Sequence, residues 1–434
     1  MGLGSIAFLL LGLVIISVRN TDQMDVRSAY ISARCFIHNC DPYKQSDLMR
    51  VYFETGGTPP AGAQMASYLS FETQNVYPPT MSAVMAPLAF APYSVARLLW
   101  VSLVAAGYLI AAWLMWNVGS ESSPLLSAAL IAFYLFNSGS LLSTSNAGAF
   151  ALSLCAIAAW CFVKDKSVPA GVLCMAVSLA LKPHDSGLVW LYFLMIGGAY
   201  RKRALHSLLV LAIIAVPAFL WIQHTSPHWI SELRSNLIAQ IGEGNDPGPS
   251  TVLNRGTLVI TDLQTVIAFF DDDPSVYNPV SYVLCLGMLA GVLFATRRQQ
   301  ITPVRVWGGL AAISALSMLP VYHRQYDAKL LLLTIPACAA LWVAGGRIAK
   351  LALAVEFACL ISTSDLPWAL FISFIKHLDL PTSGPARDAL IMLLSFPLPI
   401  ALVITCCFYT LVNFRRSEIP NESHEIAERP VHQT

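Results

Sequence analysis

Residues 3–18 read LGSIAFLLLGLVIISV, a stretch without a single charged side chain. Soon afterwards, residues 21–34 read TDQMDVRSAYISAR, with two aspartates and two arginines. The first stretch is nearly long enough to cross a bilayer, and it lacks the basic amino-terminal region and the small-residue cleavage site of a signal peptide. We therefore interpret residues 3–18 as an uncleaved first membrane span that places a charged segment at the membrane surface.

The composition extends this interpretation to the whole chain. Hydrophobic residues make up 56% of the 434 positions and charged residues only 12%, whereas soluble domains carry about 25% charged residues. Mean hydropathy is +0.61. The net charge of +1 provides no strongly basic surface, so no nucleic-acid partner is expected. These values predict one all-α, polytopic membrane protein rather than two or three soluble domains.

Apolar segments of about bilayer length recur between polar breaks. They predict about twelve membrane-spanning helices, and the short segments that meet at Lys182-Pro183-His184 widen this to about eleven to thirteen. The predicted spans are residues 3–18, 94–118, 124–140, 147–163, 168–181, 187–200, 204–222, 279–296, 304–320, 328–344, 350–361 and 388–414. Residues 1–414 then form one membrane domain, and the polar residues 415–434 form a disordered cytoplasmic tail.

Basic residues in the short loops predict the orientation of the chain, because cytoplasmic loops are enriched in lysine and arginine. Counting spans alternately from a cytoplasmic amino terminus puts all basic clusters on one side: Lys164 and Lys166, Arg201-Lys202-Arg203, Arg297-Arg298, Arg347 and Lys350, and Arg415-Arg416. The long polar segments then face outward, namely residues 19–93, 223–278, 321–327 and 362–387. We expect a multi-pass protein of the plasma membrane whose active site faces the periplasm or the exterior.

Cys35 and Cys40 lie in the first outward segment, and the other eight cysteines lie in predicted spans. In an oxidising compartment, two cysteines this close in sequence favour a disulfide. Two free thiols are the alternative. Zinc binding there is not expected, because only His38 is near. The pair His224 and His228 has helical spacing, but Pro227 interrupts the helix and no glutamate occupies the zinc-protease position, so no metal site is expected there either.

Asp22 and Asp25 lie at the predicted membrane boundary, where a charge is costly unless it is paired or solvated. One interpretation is structural, since either aspartate can act as the N-cap of a helix predicted over residues 26–36. The other interpretation is functional and depends on the sequence that follows.

Short motifs follow Asp25 in a fixed order: Tyr30 and Ala33, Cys40-Asp-Pro-Tyr43, Val76-Tyr-Pro-Pro79, Ala86-Pro-Leu88, Ala91-Pro92 and Ala96-Arg-Leu-Leu-Trp100. This order resembles the opening of glycosyltransferase family 87, also known as domain of unknown function 2029, which includes polyprenyl-phosphate-mannose-dependent mannosyltransferases. Fainter similarity continues through Leu181-Lys-Pro183 to Tyr326-Asp327, so that the resemblance covers about residues 1–410. It departs from the family pattern at residues 143–148, STSNAG, where relatives often carry Gly-Gln.

The resemblance implies a GT-C type fold and an inverting hexosyltransferase. Its implied partners are a polyprenyl-phosphate-linked sugar donor such as a mannose carrier, a lipid or glycan acceptor, and the surrounding membrane lipids, and it implies no cofactor. Asp25 matches the catalytic base, with Asp22 as the fallback. The cations that face outward are candidates to hold the leaving phosphate: Lys182, His184, His323 and Arg324. The candidates for substrate binding are Tyr30, Tyr77, Tyr326 and Asp327.

Three of the outward-facing cations also have a structural alternative. Lys329 belongs to the same outward set, but it is as well explained by a lysine that extends from a helix start to the membrane surface. His323 and Arg324 are equally compatible with capping the preceding helix. The competing functional class is a multi-span transporter or lipid flippase, which would show related halves and charges near mid-membrane. Neither feature is visible in the sequence, where charges collect at the ends of spans.

Overall fold

The computed structural model describes residues 1–19, 24–242, 260–298, 300–376, 384–385, 389–390, 392–393 and 396–415. These residues form helices joined by short loops, which confirms the all-α prediction for this part of the chain. Asp22, residues 243–259 and the tail after Arg415 lie outside the described residues. The helices are α1 (Gly2–Arg19), α2 (Met24–Ile37), α3 (Gln45–Glu54), α4 (Ala63–Glu72), α5 (Pro79–Ala89), α6 (Tyr93–Ser120), α7 (Pro124–Phe136), α8 (Ser140–Thr144), α9 (Ala147–Lys164), α10 (Val168–Leu181), α11 (Pro183–Ile196), α12 (Gly198–Thr225), α13 (Trp229–Gly242), α14 (Leu263–Ala268), α15 (Pro274–Arg297), α16 (Pro303–Ser317), a 3₁₀ helix (Asp327–Thr334), α17 (Ile335–Ala344), α18 (Gly346–Ser362), α19 (Asp365–Lys376) and α20 (Pro397–Arg415).

Among the described residues, seven helical segments are long and apolar enough to cross a membrane, and the apolar helices Gly2–Ser17 and Val168–Leu181 are shorter. The predicted number of about twelve spans is therefore not confirmed. Several predicted boundaries differ from the observed helix ends by a few residues. α11 ends at Ile196 because Gly197 adopts φ +92°, so the three basic residues 201–203 lie inside the first turns of α12. Within the predicted last span, the described membrane-length helix is Pro397–Arg415, and position 388 lies outside the described residues.

The segment between α1 and α6 is helical rather than a long irregular loop. α2 packs against α5 and α6, and a disulfide joins Cys35 to Cys40 across a Cα–Cα distance of 4.9 Å. The Tyr43 hydroxyl donates to the Tyr77 carbonyl over 2.8 Å. Asn236 of α13 donates to the carbonyls of Tyr43 and Asn75, each over 3.0 Å. These bonds join α2–α5 and α13 into one layer at one end of the helix bundle.

The opposite end of the bundle carries basic residues of the predicted cytoplasmic loops. Lys164, at the end of α9, pairs with Glu121 just after α6 over 2.6 Å. Arg203 of α12 pairs with Asp165. Arg298, after α15, lies 4.6 Å from the centre of the Phe414 ring at the end of α20. Since α9 rises about 27 Å over its length, these basic residues lie far from the residues at its first turn.

The helical conformation is interrupted at Lys182, between α10 and α11. This junction lies at the end of the bundle opposite Lys164 and Arg203. The Lys182 backbone is extended, with φ −151° and ψ 85°, and Pro183 starts α11 as its first residue. Proline disfavours a helical conformation for the residue before it and lacks the N–H group that would continue the helix. The chain therefore turns at Lys182 and leaves a lysine, a histidine and an aspartate, residues 182, 184 and 185, at the start of α11.

Candidate active site

Four separate segments of the chain meet at this end of the bundle. They are the first turn of α2 with Asp25, the start of α9 with Asn146, the α10–α11 junction with Lys182, and the loop before the 3₁₀ helix. This loop is held in place by the segment before α14, because the Thr261 N–H donates to the His323 carbonyl over 3.0 Å and Ile260 pairs with Arg324. Polar residues more than 300 positions apart in sequence thus surround one site.

An ion-pair network centred on Lys182 forms the floor of this site. The Lys182 ammonium donates to Asp327 Oδ1 over 2.6 Å and lies 3.4 Å from Asp185 Oδ1. Asp327 Oδ2 accepts the Arg324 backbone N–H over 3.1 Å, and Arg324 Nε donates to the Tyr322 hydroxyl. Both carboxylates are fully buried. A buried lysine is retained at such a place only with paired partners, which the two aspartates supply.

Asp25 lies half-buried at the edge of the same network. Removal from water raises the pKa of its carboxyl above the ordinary value, while the nearby Arg324 guanidinium, a hydrogen bond from Asn146 and the Lys182 ammonium oppose this shift. The carboxylate is therefore a stronger base than an exposed aspartate and stands beside two cations. This arrangement suits a group that takes a proton close to where negative charge leaves.

Asn146 orients this part of the site. Its Oδ1 accepts the Gly148 N–H over 2.7 Å as the N-cap of α9, which leaves its NH₂ group to donate to the Tyr77 hydroxyl over 3.1 Å and to Asp25. Gly148 lies two residues after Asn146, and a Cβ at this position would lie 2.7 Å from Asp185 Oδ2 and Asp327 Oδ1 and 2.8 Å from Lys182 Nζ. The start of α9 therefore approaches the ionic network more closely than any side chain permits.

Two histidines lie beside Asp185. His323 is fully buried; its Nε2 lies 3.1 Å from Asp185 Oδ1 and its Nδ1 lies 2.8 Å from the Val321 carbonyl oxygen. The Nε2 of His184 lies 3.7 Å from the same Asp185 oxygen, and its side chain is 39% exposed. The two imidazole rings are 5.0 Å apart in an edge-to-face arrangement.

Most of the residues singled out by sequence belong to this cluster. Tyr77 bonds to Asn146, and the Tyr326 ring lies 5.7 Å from Lys182 Nζ. Tyr30 lies elsewhere: it is buried against Tyr93, and its hydroxyl donates to the Ala91 carbonyl over 2.9 Å. The structure gives Tyr30 a packing position between α2 and the start of α6 rather than a place in the cluster.

Lys329 also points away from the cluster. Its ammonium donates to the carbonyls of Asn137 and Thr363, over 2.8 Å and 2.6 Å, and lies 3.2 Å from Asp365 Oδ1. It is fully buried. These contacts join the ends of α7 and α18 to the start of α19. They fit neither a phosphate ligand nor a lysine that extends to the membrane surface.

The sequence interpretation did not identify Asp185, Asn146 and Gly148. Asp185 follows Lys182-Pro183-His184 directly, and its charge at the edge of a predicted span was a usable signal. Asn146 precedes an apolar run in the position expected of an N-cap. No sequence signal points to Gly148, because a glycine is needed there only through the close approach of residues 185 and 327, which belong to other helices.

Comparison with known proteins gives one family. The family model of glycosyltransferase family 87 matches residues 75–319, more than half of the chain. The matched stretch contains Tyr77, Asn146, Lys182 and Asp185, whereas Asp25 and the loop from His323 to Asp327 lie outside it. Among curated proteins and among solved structures, no match was found.

Proposed function

The chain belongs to glycosyltransferase family 87, and from that membership we propose that it moves a hexose from a polyprenyl-phosphate donor to a lipid or glycan acceptor. A transferase of this kind joins a lipid-borne donor to an acceptor at the membrane surface. The helices that are apolar enough to cross a membrane supply the required setting. The proposed sugar is mannose-like.

One observation supports this proposal above all others: a carboxylate and two cations from distant parts of the chain stand together. Burial raises the pKa of Asp25, and Arg324 and Lys182 lie close enough to oppose this rise. Transfer from a sugar phosphate needs a base for the acceptor hydroxyl and positive charge for the phosphate that leaves. The cluster contains both the base and the positive charge, at the end of the bundle where α10 and α11 meet.

The proposed reaction is a single displacement. The acceptor oxygen attacks the anomeric carbon and forms the new glycosidic bond, while the bond from that carbon to the phosphate oxygen breaks. Asp25 takes the hydroxyl proton, and the polyprenyl phosphate leaves with the bonding electrons, its charge offset by Lys182 and Arg324. Attack from the face opposite the phosphate inverts the configuration of the anomeric carbon.

The proposed active site faces the periplasm or the exterior of the plasma membrane. Support comes from the separation of charges along the bundle, because the Asp25 end lies opposite the end that carries Lys164, Arg203 and Arg298. Basic residues favour the cytoplasmic side of a membrane protein. A polyprenyl tail in the outer leaflet would then present its phosphate to Lys182 and Arg324.

The test is transfer by purified protein in lipid, with a polyprenyl-phosphate hexose as donor. Asp25→Asn keeps the size of the side chain but removes the basic lone pair, so we expect the transfer rate to fall by about 100-fold or more, with donor binding and folding retained. Asp22→Asn serves as the control and should lower the rate far less. A near-normal rate for Asp25→Asn would leave that residue only a structural role at the start of α2, and a large loss confined to Asp22→Asn would move the base to position 22.

A further inference from the structure

The side chains of His184, Asp185 and His323 have the separations of metal ligands. One ligand atom from each lies within 4.8 Å of the others, and the distances from Asp185 Oδ1 to the two imidazole Nε2 atoms are 3.1 and 3.7 Å. Two ligands bound tetrahedrally at about 2.1 Å from a zinc ion lie about 3.4 Å apart. The observed separations bracket this value.

The proton positions on His323 leave two acceptors facing each other. A carbonyl oxygen can only accept, so the contact between Nδ1 and Val321 places a proton on Nδ1. In the neutral ring Nε2 then carries a lone pair, which faces Asp185 Oδ1. Within the described part of the chain, neither oxygen of Asp185 nor His323 Nε2 makes a hydrogen bond of good geometry. A positive charge between them removes this conflict, and the Nδ1–H bond to a backbone carbonyl is the usual support for a metal-binding histidine.

The charges of the cluster also favour an added cation. Asp25, Asp185 and Asp327 contribute three carboxylates, against the two cationic side chains of Lys182 and Arg324. Lys182 is held mainly by Asp327, at 2.6 Å against 3.4 Å for Asp185. The carboxylate of Asp185 can therefore still bind a cation. A bound phosphate donor would add further negative charge.

A metal ion explains the arrangement better than a second proton on His323. An imidazolium would satisfy Asp185 Oδ1 but would give no reason for His184 Nε2 to approach the same oxygen. With Asp185 and His323 fully buried and His184 39% exposed, one ligand of the group stands at the solvent-accessible edge. A cation and a phosphate can reach the site from that side.

We propose that His184, Asp185 and His323 bind one divalent cation of the zinc class, with a coordination position left for an oxygen of the donor phosphate. Two imidazoles and one carboxylate suit Zn²⁺, and three protein ligands with an open position are the pattern of zinc ions that contact substrate. The sequence alone predicts no metal. The second half of this inference, contact with the donor phosphate, rests on the proposed function, while the binding of the cation does not.

The experiment measures zinc bound to chelator-treated full-length protein in lipid nanodiscs, by equilibrium dialysis against Zn²⁺ and elemental analysis. We expect one Zn²⁺ per chain. His184→Ala should weaken binding by about 100-fold or more, because loss of supporting residues alone costs about 10- to 100-fold, and its partial exposure makes it the variant that folds most readily. His323→Ala and Asp185→Asn should behave alike. The matched control is the double variant His224→Ala and His228→Ala, which removes two exposed histidines and should bind as the parent protein does.

The outcomes separate this inference from the proposed function. No zinc bound by the parent protein, or unchanged binding in folded His184→Ala, overturns the cation site whether or not sugar transfer occurs. One zinc per chain that depends on His184 supports the site even if no transfer from a polyprenyl-phosphate sugar is detected, and in that case the proposed function fails instead. Full transfer by protein shown to contain no metal would refute the contact with the donor phosphate.

Discussion

At the scale of single residues, the pKa of Asp25 makes the proposed base testable by pH. Burial raises this pKa above the ordinary value and Arg324 lowers it. A base works only when deprotonated, so kcat/KM should fall as the pH drops through the Asp25 pKa, above the range of an exposed aspartate. Arg324→Gln removes the opposing charge and should move this acidic limb to higher pH, whatever it does to the maximum rate.

The control for this pH prediction is Arg234→Gln, at an exposed arginine of α13, which should leave the limb in place. Equal limbs in the Arg324→Gln variant and the parent protein would show that Asp25 does not set the pH dependence.

Gly148 gives a second prediction at the residue scale. The methyl group of Gly148→Ala would lie under 3.0 Å from two carboxylates and the Lys182 ammonium, so the ion pairs must shift. Because small displacements of catalytic groups are costly, we expect transfer to fall by about 100-fold. Gly187→Ala is the matched control, since a Cβ there meets nothing within 4 Å. Equal activity of the two variants would contradict the close approach of α9.

Sequence reasoning singles out residues whose signal is local and misses residues whose place in the cluster depends on distant partners. The lysine next to a proline at 182–183 and the loop at 323–327 stand out by charge in an apolar chain. Lys329 has the same signal, yet its ammonium is bound by carbonyls from α7 and α18, which no local pattern shows. Asn146 looks like an ordinary cap until Tyr77 and Asp25 are placed beside it.

At the scale of elements, the disulfide ties the end of α2 to the turn before α3. Cys40→Ser should lower the free energy of unfolding by about 2 kcal/mol, because the closed loop is short. The exposed free cysteine at 407 provides the control, and Cys407→Ser should have little effect. Alkylation before lysis, followed by peptide mapping without reductant, should recover Cys35 and Cys40 in one linked fragment; two alkylated thiols would contradict this.

Helices were predictable from sequence to different degrees. Long apolar runs such as α6 and α9 begin and end within a few residues of their predicted bounds, because a helix that crosses a membrane needs apolar length. The helices α3, α4 and α5 were not predicted. They are short and mixed in polarity, and each of them packs on α2, which the sequence does not reveal.

At the scale of the whole molecule, the separation of charges predicts how the chain sits in the membrane. Trp229 lies at the start of α13, in the layer that includes α2–α5, and Lys202 lies at the other end of the long helix α12. If basic residues mark the cytoplasm, an impermeant thiol reagent added outside intact cells should label Trp229→Cys and not Lys202→Cys. The reverse pattern would overturn both the orientation and the outward-facing site.

The 145 positions between Lys182 and Asp327 have a consequence for biosynthesis. The ribosome completes Lys182 and Asp185 well before their partner emerges, and an unpaired charge at the membrane boundary is costly. During translation the lysine has only one of its two carboxylates, and the start of α9 has no 3₁₀ helix to pack against. The centre is therefore completed late in synthesis, and a nascent chain that stops before position 327 leaves the translocon with Lys182 lacking the carboxylate that binds it most closely.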